Sequence, residues 1–403
     1  GEVVERRSLS EIWEEAQNLF PFSQSIRRDL HRHPELGYQE KRTAGIIAGE
    51  LKQLGYEVRT VIAETGVAAL IEGNLPGRVV MARVDLDALP IQEETGAEYA
   101  SQVPGVMHAC GHDGHVAVGL TVARMLASRR EELHGTVKLV FQPAEEGLGG
   151  AERMIAEGVL DDPVPEAALA LHLWNQLPMG KAVIRPGPLM AAADMFTIRI
   201  QGHGGHGAMP EKTADPVLAG AQVVTALQSV VSRSISPLES AVVSVTQFSA
   251  GDAFNVIPDA ALLRGTIRTY EPDVRERVLE RVRSVAEHVA AGMGCSAEVL
   301  IQPVTPAVIN DPQVAKVTAA AAAAAVPDLR IDETYRVAIS EDMAYMLEQV
   351  PGCYFMVGAA PSAEGTPYGH HHPKFEIDER SITVAAAILT AAILDLAKSS
   401  DHS

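Results

Sequence analysis

The stretch Met107-His108-Ala109-Cys110-Gly111-His112-Asp113-Gly114-His115 sets one thiol, three imidazoles and a carboxylate within nine residues. Cys110 and His112 stand two apart, a spacing that in an extended segment sends both side chains to one face. Gly111 and Gly114 let the backbone turn sharply there. Thiolate and imidazole are ligands for zinc, cobalt, nickel, iron or manganese rather than for magnesium or calcium. Two ligands do not make a centre, and a buried cysteine among loop histidines would read the same way. The rest of the chain has to supply the other ligands.

Four further clusters fall at the ends of apolar runs. Arg83-Val84-Asp85-Leu86-Asp87 closes one run, Gln142-Pro143-Ala144-Glu145-Glu146-Gly147 follows a second, His172 ends a third, and Gly369-His370-His371-His372-Pro373 follows a loop rich in glycine and proline. Of two adjacent glutamates, one can bind a cation while its neighbour takes a proton from water. Each cluster alone has an ordinary reading: a solvated carboxylate pair, a core histidine, a surface histidine tract. Together they supply ligands enough for two cations, with positions left open for water and substrate.

The elements that must place these groups are legible in outline. Apolar residues at helical spacing run from Ile12 to Leu30, broken near Pro21, and again from Thr43 to Leu54. Short runs rich in β-formers follow at Val67–Ile71, Val79–Val84, Thr136–Phe141 and Ala167–Leu171, with helices predicted at 114–129 and 150–156. This alternation predicts an α/β layer around a largely parallel sheet, whose ligands collect at the carboxyl ends of the strands.

After Pro188 the pattern changes. A strand at Met195–Ile200, a helix over 215–231, strands at 241–248 and 260–268, a helix over 272–291 and a strand at 297–302 give the order β-α-β-β-α-β. That order predicts a ferredoxin-like unit inserted at 190–303, with 1–189 and 304–403 forming one discontinuous domain. Helix and strand then alternate again: helices over 314–325, from a cap at Ser340 and over 379–396, and a strand at 353–357.

The net charge of −19 argues against nucleic acid and anionic membranes as partners. Three cysteines (Cys110, Cys295, Cys353) argue against a disulfide scaffold and suit a reducing compartment. The opening GEVVERRSLS is polar, and the apolar tract Val384–Ala397 is short for a bilayer and interrupted by Asp395. A soluble, intracellular protein is expected.

The motifs RVDLDALP, MHACGHDGH, FQPAEEG, ALHLW, GHGGHGAMP, FNVIPD with GTIRTYE, and HHHPKFEIDE occur in this order over nearly the whole chain. In this the chain resembles the two-metal amidohydrolases and peptidases, in the branch of hippurate hydrolases, aminoacylases and auxin–amino acid conjugate hydrolases. The resemblance implies metal ligands Cys110, His112, Glu146, His172 and His371, with His370 as the neighbouring register, and Glu145 as general base toward a metal-bridging water. It implies that His206 stabilises the oxyanion from the opposite subunit and that Asn255 and Arg268 recognise the substrate's carboxylate and adjoining peptide oxygen. His203 is left out of the site.

Peptidase relatives carry His-x-Asp where this chain has Arg83-Val84-Asp85, which fits the branch with a cysteine ligand and makes Asp85 a support rather than a ligand. The implied activity is hydrolysis of N-acyl-L-amino acids by a homodimer or higher oligomer formed through the lid. The implied cofactors are two divalent ions per subunit, manganese first and zinc, cobalt or nickel as alternatives. A dipeptidase or carboxypeptidase, or an N-acetyl-diaminopimelate-type deacetylase, are the competing activities.

Overall fold

The computed structural model of the chain describes residues 11–398, so the opening GEVVERRSLS lies outside the described residues. The chain divides into two compact units: 1–187 with 309–335 and 342–403, and 188–308 with 336–341.

In the first unit, helix α1 (11–18) is followed by α2 (Phe20–Arg32) and α3 (Lys41–Gln53). Strands β1 (Glu57–Ile62), β2 (Gly66–Glu72) and β3 (Leu75–Asp85) precede α4 (His112–Ala127), β4 (His134–Gln142), α5 (Gly150–Ala156), β5 (Ala167–Trp174) and β6 (Lys181–Val183). The second unit carries β7 (Ala192–Gln201), α6 (Pro216–Arg233), β8 (Ala241–Ser249), β9 (Ala260–Thr269), α7 (Pro272–Gly292) and β10 (Ser296–Thr305). The first unit resumes with α8 (Pro312–Ala325), β11 (Arg330–Asp332), α9 (Met343–Leu347), β12 (Gly352–Gly358) and α10 (Arg380–Ala397).

Eight strands of the first unit form one mixed sheet in the order β1-β2-β4-β3-β5-β12-β6-β11. The four middle strands β4, β3, β5 and β12 run parallel, while β1/β2, β2/β4 and β12/β6 pair antiparallel. β5 and β12 are buried along their whole length, as strands covered on both faces must be. β3 has β4 on one side and β5 on the other, and in such open sheets ligands collect at the carboxyl ends of the strands.

α4 and α10 are apolar nearly all round and lie against β3, α10 packing also on α8. The tract from Val384 is therefore not a short piece. It belongs to an 18-residue helix long and apolar enough to cross a membrane, yet 83% of it is buried inside the unit as a core helix. Burial of residues such as Ile388, Leu389 and Ile393 stabilises the unit by about 1.5–3 kcal/mol each.

The helix expected to be capped at Ser340 starts at Met343, with Asp342 as its N-cap residue. The Asp342 carboxylate is instead engaged by the Gln142 amide at 2.9 Å and the Ala151 N–H at 3.0 Å. Strand β1 is not marked in the sequence because its six residues are mostly exposed, Val61 among them, and three of them are polar.

In the second unit four antiparallel strands take the order β8-β9-β7-β10, with α6 and α7 packed together. Their inward side chains, among them Phe196, Ile198, Leu263, Val223, Leu227 and Val278, form a core of their own. Asp215 caps α6 by accepting the Val217 N–H at 2.9 Å, and Arg275 holds the buried Asp194 through two bonds of 2.9 and 2.6 Å.

Candidate metal centre

The site residues of the first unit come from the carboxyl ends of β3, β4 and β5, from the start of α4 and from the loop before α10. Cys110 and His112 do not converge by extended geometry. Gly111 takes φ +87° as the N-cap residue of α4, and this left-handed turn puts His112 in the first helical turn with Cys110 just before it. A helix N-terminus carries partial positive charge, which favours a thiolate beside it.

His112 and His172 are each oriented by a bond on the other ring nitrogen. His112 Nδ1 donates to Asp87 Oδ1 at 3.1 Å, leaving Nε2 buried with no hydrogen-bond partner. Burial pulls the His112 pKa down, but Asp85, Asp87 and Glu146 outweigh it and push it up to about 10. The pocket therefore asks for positive charge at that point. His172 Nδ1 donates to the Leu173 carbonyl at 2.8 Å, so its Nε2 lone pair faces Cys110 Sγ at 3.6 Å. Burial and the His115 ring lower its pKa to about 3, and it stays neutral.

Glu145 and Glu146 follow β4 on a tight turn. Ala144 takes φ +54°, and Gly150 must be glycine because a Cβ there would lie 1.8 Å from the Pro143 oxygen. The Glu146 N–H donates to Asp87 Oδ2 at 3.0 Å, so one carboxylate fixes both His112 and the glutamate loop. His371, with φ +72°, places Nε2 3.2 Å from the Glu146 carboxylate. His370 turns instead toward Trp174, its ring stacked at 4.3 Å.

Of the five groups of three ligand atoms that lie within 4.8 Å of one another among the described residues, two contain Cys110: Cys110, His112 and His172, and Cys110, Glu146 and His371. Cys110 belongs to both, and the atoms of Asp87, His112 and Glu145 are equally close. The donor set of sulfur, imidazole and carboxylate, with a His112 Nε2 that makes no hydrogen bond and lies 3.4 Å from Asp85, fits two divalent cations. Burial, then Glu146, Glu145 and Asp85, hold the Cys110 thiol well above its ordinary value, so a cation is what would bring it to the thiolate.

Several supports were not legible as such in the sequence. His115 donates Nδ1–H to Asp85 at 2.6 Å and accepts the Leu173 N–H at 2.9 Å, while its ring stacks on His112 and meets His172 edge-on. The signal was its place three residues after His112, on the same helix face. Asp113 lies in the first turn of α4, and its Oδ2 accepts from Arg27 at 2.9 Å and His31 at 2.7 Å, tying α4 to α2. Arg83, fully buried, donates to Gln142 at 2.8 Å and to Asp342 at 3.0 Å, and lies 3.4 Å from Asp85. Glu40, also buried, accepts the Ala144 N–H at 3.0 Å and the Thr65 hydroxyl at 2.5 Å, which holds the strained residue before Glu145.

The structure thus brings together Cys110, His112, Glu145, Glu146, His172 and His371. His206, Asn255 and Arg268 belong to the second unit. There His206 and Asn255 are neighbours, since Val256 pairs with His206 and the Gly207 N–H donates to the Asn255 carbonyl at 2.8 Å. Arg268 is far from them. The register runs from Ala260↔Gln201 beside His206 and Asn255 to Thr269↔Ala192 at the other end, so eight residues of strand, about 27 Å, intervene. Arg268 bonds the Thr266 hydroxyl at 3.1 Å, and its charge meets no carboxylate among the described residues.

A large mixed sheet ending in a carboxylate–imidazole–thiolate cluster defines a metallohydrolase of the α/β class. The chain belongs to peptidase family M20/M25/M40, whose sequence profile matches residues 81–395. It is 43% identical over 378 residues to the N-acetylcysteine deacetylase of Bacillus subtilis, covering 93% of this chain and 97% of that one. With the N-acyl-L-amino acid amidohydrolase of Geobacillus stearothermophilus it shares 47% identity over 273 residues, 68% of this chain and 73% of that one. A dinuclear metal-binding M20 peptidase from Bacillus subtilis superposes with a TM-score of 0.84 at 37% identity, covering 94% of this chain and 99% of that one.

Proposed function

We propose that the chain hydrolyses the amide bond of N-acyl-L-amino acids, releasing a carboxylic acid and a free amino acid. The observation that carries this reading is the glutamate pair held by Asp87 and Glu40 against the two triads that share Cys110. In it, Cys110, His112 and His172 would hold one divalent cation, and Cys110, Glu146 and His371 a second. Bound there, the cations would polarise the amide carbonyl and make a water at the site acidic. Manganese is the first choice for both positions, with zinc, cobalt or nickel as alternatives.

Glu145, next to the ligand Glu146 and about nine-tenths buried, is the general base: it takes the proton of the attacking water and returns it to the leaving nitrogen. The unit around 190–303 is read as a ferredoxin-like lid through which the chain dimerises. On that reading His206 and Asn255 act from a second copy, His206 stabilising the developing oxyanion by about 3–4 kcal/mol. Their separation from Arg268 within one chain supports this, because a single lid cannot bring all three to one small substrate. Arg268 takes the free α-carboxylate through its guanidinium fork, for which a half-buried arginine without an acidic partner is suited. The names of the deacetylase and amidohydrolase relatives support the same substrate class, and a cytosolic location agrees with it.

The test is a panel of N-acetyl and N-benzoyl amino acids beside unblocked dipeptides, scored by released amine with and without chelator. Metal-dependent cleavage of the N-acyl compounds alone is the expected result. Preference for dipeptides would replace the reading with the dipeptidase or carboxypeptidase activity.

A further inference from the structure

His172 and His370 both approach one sulfur, each with a ring nitrogen 3.6 Å from Cys110 Sγ. The opposite nitrogen decides what each ring offers. In His172 the proton is on Nδ1, bonded to the Leu173 carbonyl, so a lone pair faces the sulfur. In His370 the polarity is reversed. Nε2 accepts the Asn175 N–H at 3.3 Å, which leaves the proton of the neutral ring on Nδ1, facing Sγ.

This orientation is held by packing. Trp174 stacks on His370 at 4.3 Å, Phe375 lies 4.7 Å away, and the His172 edge is at 5.0 Å. Turning the ring over would put a carbon where Nδ1 is and lose both the sulfur contact and the Asn175 bond. His371, one residue on, points the other way, to Glu146.

We infer that His370 is a positioning residue for the centre: its Nδ1–H donates a hydrogen bond to the Cys110 thiolate, and it is not itself a ligand. The inference rests on the reading of Cys110 as the sulfur shared by both cation positions. An N–H donor draws electron density from a ligating sulfur and fixes its direction, so His370 sets how strongly Cys110 donates. The run of three histidines then has divided roles, with His371 binding and His370 restraining the sulfur.

Cobalt(II) loading of the full chain tests this, because a cobalt thiolate shows a sulfur-to-metal charge-transfer band. In His370→Phe, which keeps an aromatic ring against Trp174 and removes the N–H, cobalt content should equal that of wild type. The band should move to longer wavelength, since the sulfur electrons are no longer held down. His370→Asn, which restores an N–H near the Nδ1 position, should bring the band back toward wild type, and His370→Leu should behave as Phe. An unmoved band in Phe and Leu variants with full cobalt would overturn the proposal, as would loss of one cobalt per chain, which would make His370 a ligand. A band that survives Cys110→Ala would overturn instead the assignment of Cys110 on which the proposal rests.

Discussion

Asp87 Oδ1 accepts from His112 Nδ1 at 3.1 Å while its other oxygen accepts the Glu146 N–H, so one carboxylate sets the tautomer of an imidazole on α4 and the pose of a loop after β4. Removing it frees both. Asp87→Ala should weaken metal binding by roughly 10–100-fold, the usual cost of losing a partner that orients a ligand. Titration against a chelating indicator measures this, and unchanged affinity would show that His112 is oriented by something else.

Cys110 stands in both triads, whereas His371 stands in one. Elemental analysis after dialysis should find Cys110→Ala depleted at both positions and His371→Ala depleted at one. Equal metal content in the two variants would contradict a shared sulfur.

Glu40 makes a prediction about pH. Burial raises its carboxyl from the ordinary 4.5 to about 7, against the opposing bonds from Thr65 and Ala144. Between those values the folded chain holds a proton that the unfolded chain has lost, so stability falls as pH rises through the window. The wild type should lose on the order of 3 kcal/mol relative to Glu40→Gln between pH 4.5 and 7. Urea unfolding of both proteins at the two ends of the window reads the difference, and a constant gap would rule it out.

If Arg268 holds the substrate carboxylate as proposed, Arg268→Ala removes a charged bond, on the order of 1.5–3 kcal/mol. A loss of about 10–100-fold in kcat/KM follows for N-acetyl amino acids. Their carboxamides, which lack the anion, should be little affected. An equal loss on both substrates would place Arg268 in a structural role.

The parts of the site legible in the sequence are those that sit within short runs at strand ends: Cys110 with His112, Glu145 with Glu146, His172, and the histidines before Pro373. Chemistry-bearing residues packed that closely announce themselves. What holds them was not legible, because each support reaches across the chain: Glu40 lies 104 residues from Ala144, and Arg27 lies 86 from Asp113. Nothing in local spacing marks such a pair. The same holds for the fold. The long buried strands and amphipathic helices show in the pattern, but β1, β6 and β11 do not, being either mostly exposed or only three residues long. The separation of Arg268 from His206 appears only once the register of β9 against β7 is known.

The central claim is that Glu145 moves the proton at a centre held by its neighbours, and Glu145→Gln tests it most directly. The amide keeps the shape and leaves Cys110, His112, Glu146, His172 and His371 in place, so metal content should stay at the wild-type value. Turnover of an N-acetyl amino acid should fall by about 10²–10⁴-fold, the contribution of a general acid–base group. Wild-type turnover in a Glu145→Gln protein with full metal would contradict the account.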